Sequence, residues 1–180
     1  VKTASEFSAT NATFELNMPA SQTCVVAGTT PVMTTADMNA CFMYAKTADV
    51  ANGTTPVDLE FNPLSTAIRF KLHGPQNAGT VTVSRIRLIG PSGAALTGKF
   101  NVNLTSGTPV VTPVPGQTSN IVNVYARYAN DAYLQLSNGQ SVELNAFIIP
   151  VDGLTINENW KLEVTLANGD QVTKTLRKAD

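Results

Sequence analysis

The stretch WKLEVTLANGDQVTKTL, Trp160 to Leu176, sets the class of the fold. Trp160, Leu162, Val164 and Leu166 alternate with Lys161, Glu163 and Thr165, a period of two that buries one face of a strand and wets the other. Asn168-Gly169 follows, a strong short-range hairpin signal, and QVTKTL resumes the extended pattern. Turn preference favours a two-residue loop there. Matching the apolar faces instead requires a three-residue loop centred on Gly169, with Leu166 opposite Val172. The facing pattern carries more weight, because a one-residue slip turns every apolar side chain of one strand to solvent. Asn138-Gly139, between AYLQLS and SVELNAFII, repeats the conflict and predicts a second hairpin with Leu136 opposite Val142.

Working outward, Ile68, Phe70 and Leu72 alternate with Arg69, Lys71 and His73, and Phe100, Val102 and Leu104 alternate with Asn101 and Asn103. In TVTVSRIRLIG the apolar pairs Val81/Val83 and Ile86/Leu88 are out of phase by one residue, which predicts a bulge or sharp bend at Ser84-Arg85. Between Gly107 and Asn120, Pro109, Pro113 and Pro115 each remove a ladder donor, so this segment is a long loop or an edge segment crossing between sheets. Asp37-Met38-Asn39-Ala40 has room for one helical turn. The expected architecture is all-β, an antiparallel sandwich of about nine to twelve strands in one domain spanning 1–180, with residues 1–40 contributing its least defined strands and loops.

Composition narrows the functions. The chain has 180 residues, 43% hydrophobic and only 14% charged, with a net charge of -1, so it has enough apolar material for one core and no basic field to neutralise phosphates. Nucleic acid is therefore not an expected partner. The longest uncharged runs, Leu16 to Ala36 and Phe100 to Ala126, are interrupted by Thr, Asn, Gly and Pro and do not read as membrane-spanning helices. No basic region followed by an apolar one opens the sequence, so either no export signal existed or it has been removed. Cys24 and Cys41 enclose 16 residues. A disulfide there would contribute about 3 kcal/mol in the chain-entropy model, and two reduced, buried thiols fit the sequence equally well.

No catalytic constellation emerges. His73, the single histidine, lies on the polar phase of its strand before Gly74-Pro75 and reads as a strand-end surface residue. The seven Asp and six Glu are scattered, with no calcium loop and no carboxylate pair placed for glycoside hydrolysis, so neither a metal nor a cofactor is expected. GPSGAALTG, Gly90 to Gly98, leads into a strand rather than a helix, so it reads as a glycine-rich hairpin turn and not a phosphate cradle. Tyr125, Tyr128, Tyr133 and Trp160 could form a sugar-stacking platform, although Trp160 sits on the apolar phase of its strand. The residues thus favour a chain that binds or builds over an enzyme, and a hydrolase would have no pair of residues to nominate.

Five ordered segments carry a resemblance: Phe42 to Ala45, LEFNPLSTAIRFKL (Leu59 to Leu72), VSRIRLIGPSGAALTGKF (Val83 to Phe100), FIIPVDG (Phe147 to Gly153) and LEVTLANGDQVTKTL (Leu162 to Leu176). Together, over about residues 40 to 178, they resemble the fimbrillin family of Bacteroidetes. The resemblance implies an exported lipoprotein precursor at the outer membrane and cell surface, with transthyretin-like β-sandwich domains that polymerise into fimbriae or cap and anchor them. It implies assembly by strand exchange, in which a strand is removed by proteolysis and a neighbour's terminal strand fills the exposed groove. The partners would be other fimbrial subunits joined by β-strand addition, with host or bacterial surface ligands as a further class.

The chain departs from the family pattern at Asn62-Pro63, where members often carry a His. It shows neither a lipobox cysteine nor an Arg cleavage site ahead of an N-terminal strand, and the usual second domain would follow Leu176. The chain therefore reads as one domain excised from a longer precursor. The leading expectation is a fimbrial or adhesin subunit with an apolar edge groove formed by terminal strands. The alternative is a surface glycan-binding module using the three tyrosines and Trp160.

Overall fold

Fourteen strands and one 3-10 turn make up the regular structure of the residues that the computed structural model describes, 12–28, 34–47, 56–151 and 159–176. The widest layer orders β14 (Gln171–Thr175), β13 (Lys161–Leu166), β7 (Thr80–Ile89), β10 (Ile121–Tyr128), β2 (Ser21–Val26) and β3 (Thr34–Thr35), with β11 (Leu134–Ser137) as a seventh strand also paired to β7. Facing it is a ribbon of only two strands, β6 (Thr66–His73) and β12 (Ser141–Ile148). A sheet ordered β1 (Thr13–Met18), β8 (Thr97–Asn103), β9 (Val110–Ser119) and a short ribbon of β4 (Met43–Ala45) with β5 (Phe61–Pro63) complete the molecule. The architecture is all-β and sandwich-like, as the alternation predicts. The surplus over the expected strand number lies in β3, β4 and β5, whose two or three residues are too short to carry a period.

Alternation decides what each layer buries. Val83, Ile86 and Leu88 of β7, Val122, Val124 and Ala126 of β10, and Leu162 of β13 form one apolar cluster with Val142, Leu144 and Ala146 of β12. Trp160, fully buried, belongs to this cluster. A second cluster gathers Leu16 and Met18 of β1, Phe100 and Val102 of β8, and Leu64. At the end of β12 the two meet: Ala146 and Ile148 face the first cluster, Phe147 and Ile149 the second. FII therefore reads as a continuous apolar run because both of its faces are covered. Asp152 and Gly153 of the FIIPVDG motif lie outside the described residues.

The phase slip in β7 is a bulge. Thr165 of β13 pairs with Arg85 and Leu166 with Val83, so Ser84 is the extra residue. Its hydroxyl donates to the carbonyls of Thr165 at 3.0 Å and Leu166 at 3.3 Å, tying the bulge to β13. The bulge also divides the other side of β7: β10 pairs with Ile86–Ile89 and β11 with Thr80–Val83. The proline-rich segment is an edge strand, β9, with a register shift opposite Gly98-Phe100. The helical turn is the 3-10 turn Met38–Ala40, capped by Asp37, whose side chain accepts from the Asn39 N–H.

Three expectations are corrected. Asn138-Gly139 does not close a hairpin, because β11 pairs with β7 while β12 pairs with β6; the turn steps between layers. Leu136 and Val142 still belong to one apolar cluster, but from facing layers. The Asn168-Gly169 hairpin is real, with its three-residue loop centred on Asn168, so that Val164 rather than Leu166 opposes Val172. Gly169 at φ 93 takes the left-handed position that closes such a loop, shifting the register from the facing pattern. Gly90–Gly98 is likewise not a hairpin turn, for it connects β7 to β8, which lie in different sheets. One ladder, β2 with β10, is parallel among otherwise antiparallel pairings of the described residues.

Candidate functional site

The two edges of the β6–β12 ribbon are treated very differently. Along β12 the outer edge is sealed by side chains. The Gln22 amide nitrogen donates to the Phe147 carbonyl at 2.7 Å, and the Phe147 N–H donates to Gln22 Oε1 at 2.8 Å, so one buried side chain imitates a paired strand. Cys24 Sγ donates to the Asn145 carbonyl at 3.3 Å and Thr34 Oγ1 to the Glu143 carbonyl at 2.8 Å. Residues 143, 145 and 147 thus point their backbone groups away from β6. By alternation 142, 144, 146 and 148 point toward it and bind the register partners Leu72, Phe70, Ile68 and Thr66.

On the far side of β6, the N–H and C=O groups of Ala67, Arg69, Lys71 and His73 consequently face outward, and no strand pairs with them among the described residues. An unpaired edge is a template for strand addition unless something covers it. Beneath this edge the core is incompletely roofed. A ribbon of two strands cannot span a layer in which β13 and β14 lie outside β7. A groove of about 430 Å³ opens between them, floored by Val81, Val83, Leu136, Leu162, Val164 and Leu166 and bounded by Leu72 on one wall and Val172 on the other. Val172 is 60% exposed, and every residue of β14 is exposed on both faces. Ile68, Phe70 and Leu72 remain only half-buried although they face the core. Lys71, His73 and Lys174 stand at the rim.

The nominated aromatic residues do not converge. Trp160 is core and unavailable to a ligand. Tyr128 packs against the first cluster, while Tyr125 and Tyr133 lie on the outer face of the wide layer with the Arg127 guanidinium between them, 5.7 Å and 3.7 Å from their ring centroids. The arginine thus occupies ring surface that a sugar would need. A second depression of about 480 Å³, lined by Val26, Gly28, Tyr128, Ala129, Asn130 and Gln135, contains no acid or imidazole.

Cys24 and Cys41 are both free, since they belong to different apolar clusters. Burial pushes the Cys24 thiol up, opposed by its hydrogen bond to Asn145. His73 is exposed at the end of β6. Among the described residues no three His, Cys, Asp or Glu side chains group as metal ligands, and no helix is long and apolar enough to cross a membrane.

Two features escape sequence reading. Gln22 sits in SQTCVV as an ordinary polar residue of an alternating strand, and nothing local tells that it faces the core. The groove depends on the relative widths of two layers, which no single segment encodes. No family model matches the chain, and no curated protein or solved structure matches it. The fimbrillin resemblance therefore stands on the ordered strand motifs alone.

Proposed function

We propose that this chain is a structural or adhesive subunit domain of bacterial surface fimbriae, joined to neighbouring subunits by β-strand addition at the cell surface. The observation that carries the reading is the outer edge of β6, which no strand pairs with among the described residues, lying above an apolar groove. A donated strand would bond to the outward groups of Ala67, Arg69, Lys71 and His73. Its alternate side chains would enter the groove and cover Val164, Leu166 and Val172. Main-chain bonding supplies affinity in this mode, and the apolar floor selects alternating sequences.

Lys71→Pro tests the reading. It removes an N–H that points outward and leaves the β12 ladder intact, as proline does at an edge position. Binding of alternating apolar peptides, measured by fluorescence anisotropy, should be lost in this variant while its circular dichroism is kept. Equal binding by both proteins would remove β6 as the acceptor. The glycan-binding reading retains Tyr125 and Tyr133 as its only exposed-face rings, and a glycan array comparing wild type with Tyr133→Ala tests it.

A further inference from the structure

The open edge has a counterpart elsewhere on the same chain. Residues 56–60 lead into β5 without a ladder partner among the described residues, and the run Val57-Asp58-Leu59-Glu60-Phe61 alternates apolar with acidic residues. Its apolar members are turned to solvent: Val57 is 43%, Leu59 51% and Phe61 60% exposed. Met43, across from Pro63 on the adjoining β4, is also exposed. Three large apolar side chains at alternate, exposed positions form the pattern of one face of a strand left uncovered among the described residues. Neither Asp58 nor Glu60 has a cationic partner among the described residues.

The β6 edge lacks what this segment carries. It offers unpaired backbone groups, an apolar groove and cations on its solvent side. Lys71 and Lys174 have no acidic partner among the described residues, and Arg69 has only a loose, exposed contact with Glu143 at 3.7 Å. We infer that the strand accepted at β6 is Val57–Phe61 of a second copy of this chain. Val57, Leu59 and Phe61 enter the groove, while Asp58 and Glu60 lie on the solvent face beside Arg69 and Lys71. The inference rests on the strand-addition reading above and names the donor.

The contact is assigned to a second copy because the segment is held elsewhere in its own chain. β5 is held by its ladder to β4, and Leu64 and Ser65 both donate their N–H groups to the Phe42 carbonyl, at 2.8 and 3.2 Å. β6 then runs away from this anchor, carrying the groove at its His73 end about 23 Å from Thr66 at the usual rise of a strand. The segment therefore cannot reach its own groove without abandoning β4. Donor and acceptor are different surfaces, so the contact is head-to-tail and propagates as an open chain unless its rotation closes a ring.

The test uses the full chain and the labelled peptide Pro56–Asn62, PVDLEFN. The peptide is expected to bind the wild-type chain, and the same peptide with Asp58→Lys and Glu60→Lys to bind roughly tenfold more weakly, because two attractive cross-strand pairs become repulsive. An Arg69→Glu/Lys71→Glu chain should reverse that preference, a rescue that mere destabilisation cannot produce. In sedimentation velocity, chains carrying Asp58→Lys/Glu60→Lys should stay monomeric at concentrations where wild type forms a ladder of oligomers, and mixing the two charge-reversed chains should restore association. If a neutral alternating peptide binds and is lost on Lys71→Pro, yet charge reversal changes nothing, this donor is wrong and strand addition stands. If no peptide binds and Lys71→Pro changes nothing, both fall.

Discussion

Replacing Gln22 by Met keeps the length and most of the volume of the side chain but removes both its donor and its acceptor. Among the described residues this amide is the one hydrogen-bonding partner of the outward N–H and C=O of Phe147, at 2.8 and 2.7 Å, in a site where Gln22 is 1% and Phe147 8% exposed. Water has little access to the two groups, so the substitution strands one buried donor and one buried acceptor. Each costs about 1–3 kcal/mol when left unmade. The variant also gains something, because an apolar side chain is buried more cheaply than an amide. The expected net loss is therefore about 2–4 kcal/mol, a large part of the roughly 5–15 kcal/mol that holds a domain of this size. Urea unfolding followed by the fluorescence of Trp160, the single tryptophan, measures it at unchanged m-value. A loss below about 1 kcal/mol would refute the claim that a side chain stands in for a strand along β12.

Two further perturbations probe other joints. Gly98→Ala places a Cβ 2.2 Å from the Gln117 carbonyl oxygen on a backbone at φ +97, so a loss of about 2 kcal/mol or more is expected in the same unfolding assay. The Cys24 thiol, whose pKa is raised by burial, favours the folded state only while protonated. Its contribution is full below the ordinary value of 9.0, where the unfolded thiol titrates, and is lost as pH rises from there through the higher folded value. Between pH 8 and the alkaline limit, roughly pH 11, stability should therefore fall more steeply in wild type than in Cys24→Ala. Parallel pH profiles would contradict this.

How much of this was legible depends on what each residue has to know. β6, β8 and β13 declare themselves because alternation needs only neighbours in sequence, and the Ser84 bulge is visible as a break in that alternation. Asn138-Gly139 misleads for the opposite reason. A turn dipeptide states that the chain reverses, not whether the next strand joins the same layer, and here the layer changes. At Asn168-Gly169 the left-handed glycine, rather than the apolar match, sets the register; because β14 is exposed on both faces, no burial opposes the shift. For Gln22 and for the groove the missing information is three-dimensional: one depends on Phe147, 125 residues away, and the other on a layer two strands wide facing one of seven. The exposure of Val57, Leu59 and Phe61 is equally silent in the sequence, because alternation of apolar with acidic residues does not tell whether the apolar face is covered.

Amide hydrogen exchange along β6 tests the open edge most directly. In the monomer the N–H groups of Ile68, Phe70 and Leu72, bonded to β12, should be protected, while those of Ala67, Arg69, Lys71 and His73 exchange fast, and the fast set should become protected once a strand peptide binds or the chain assembles. Uniform protection of all seven amides in the monomer would mean that the edge is already covered and that β6 accepts no strand.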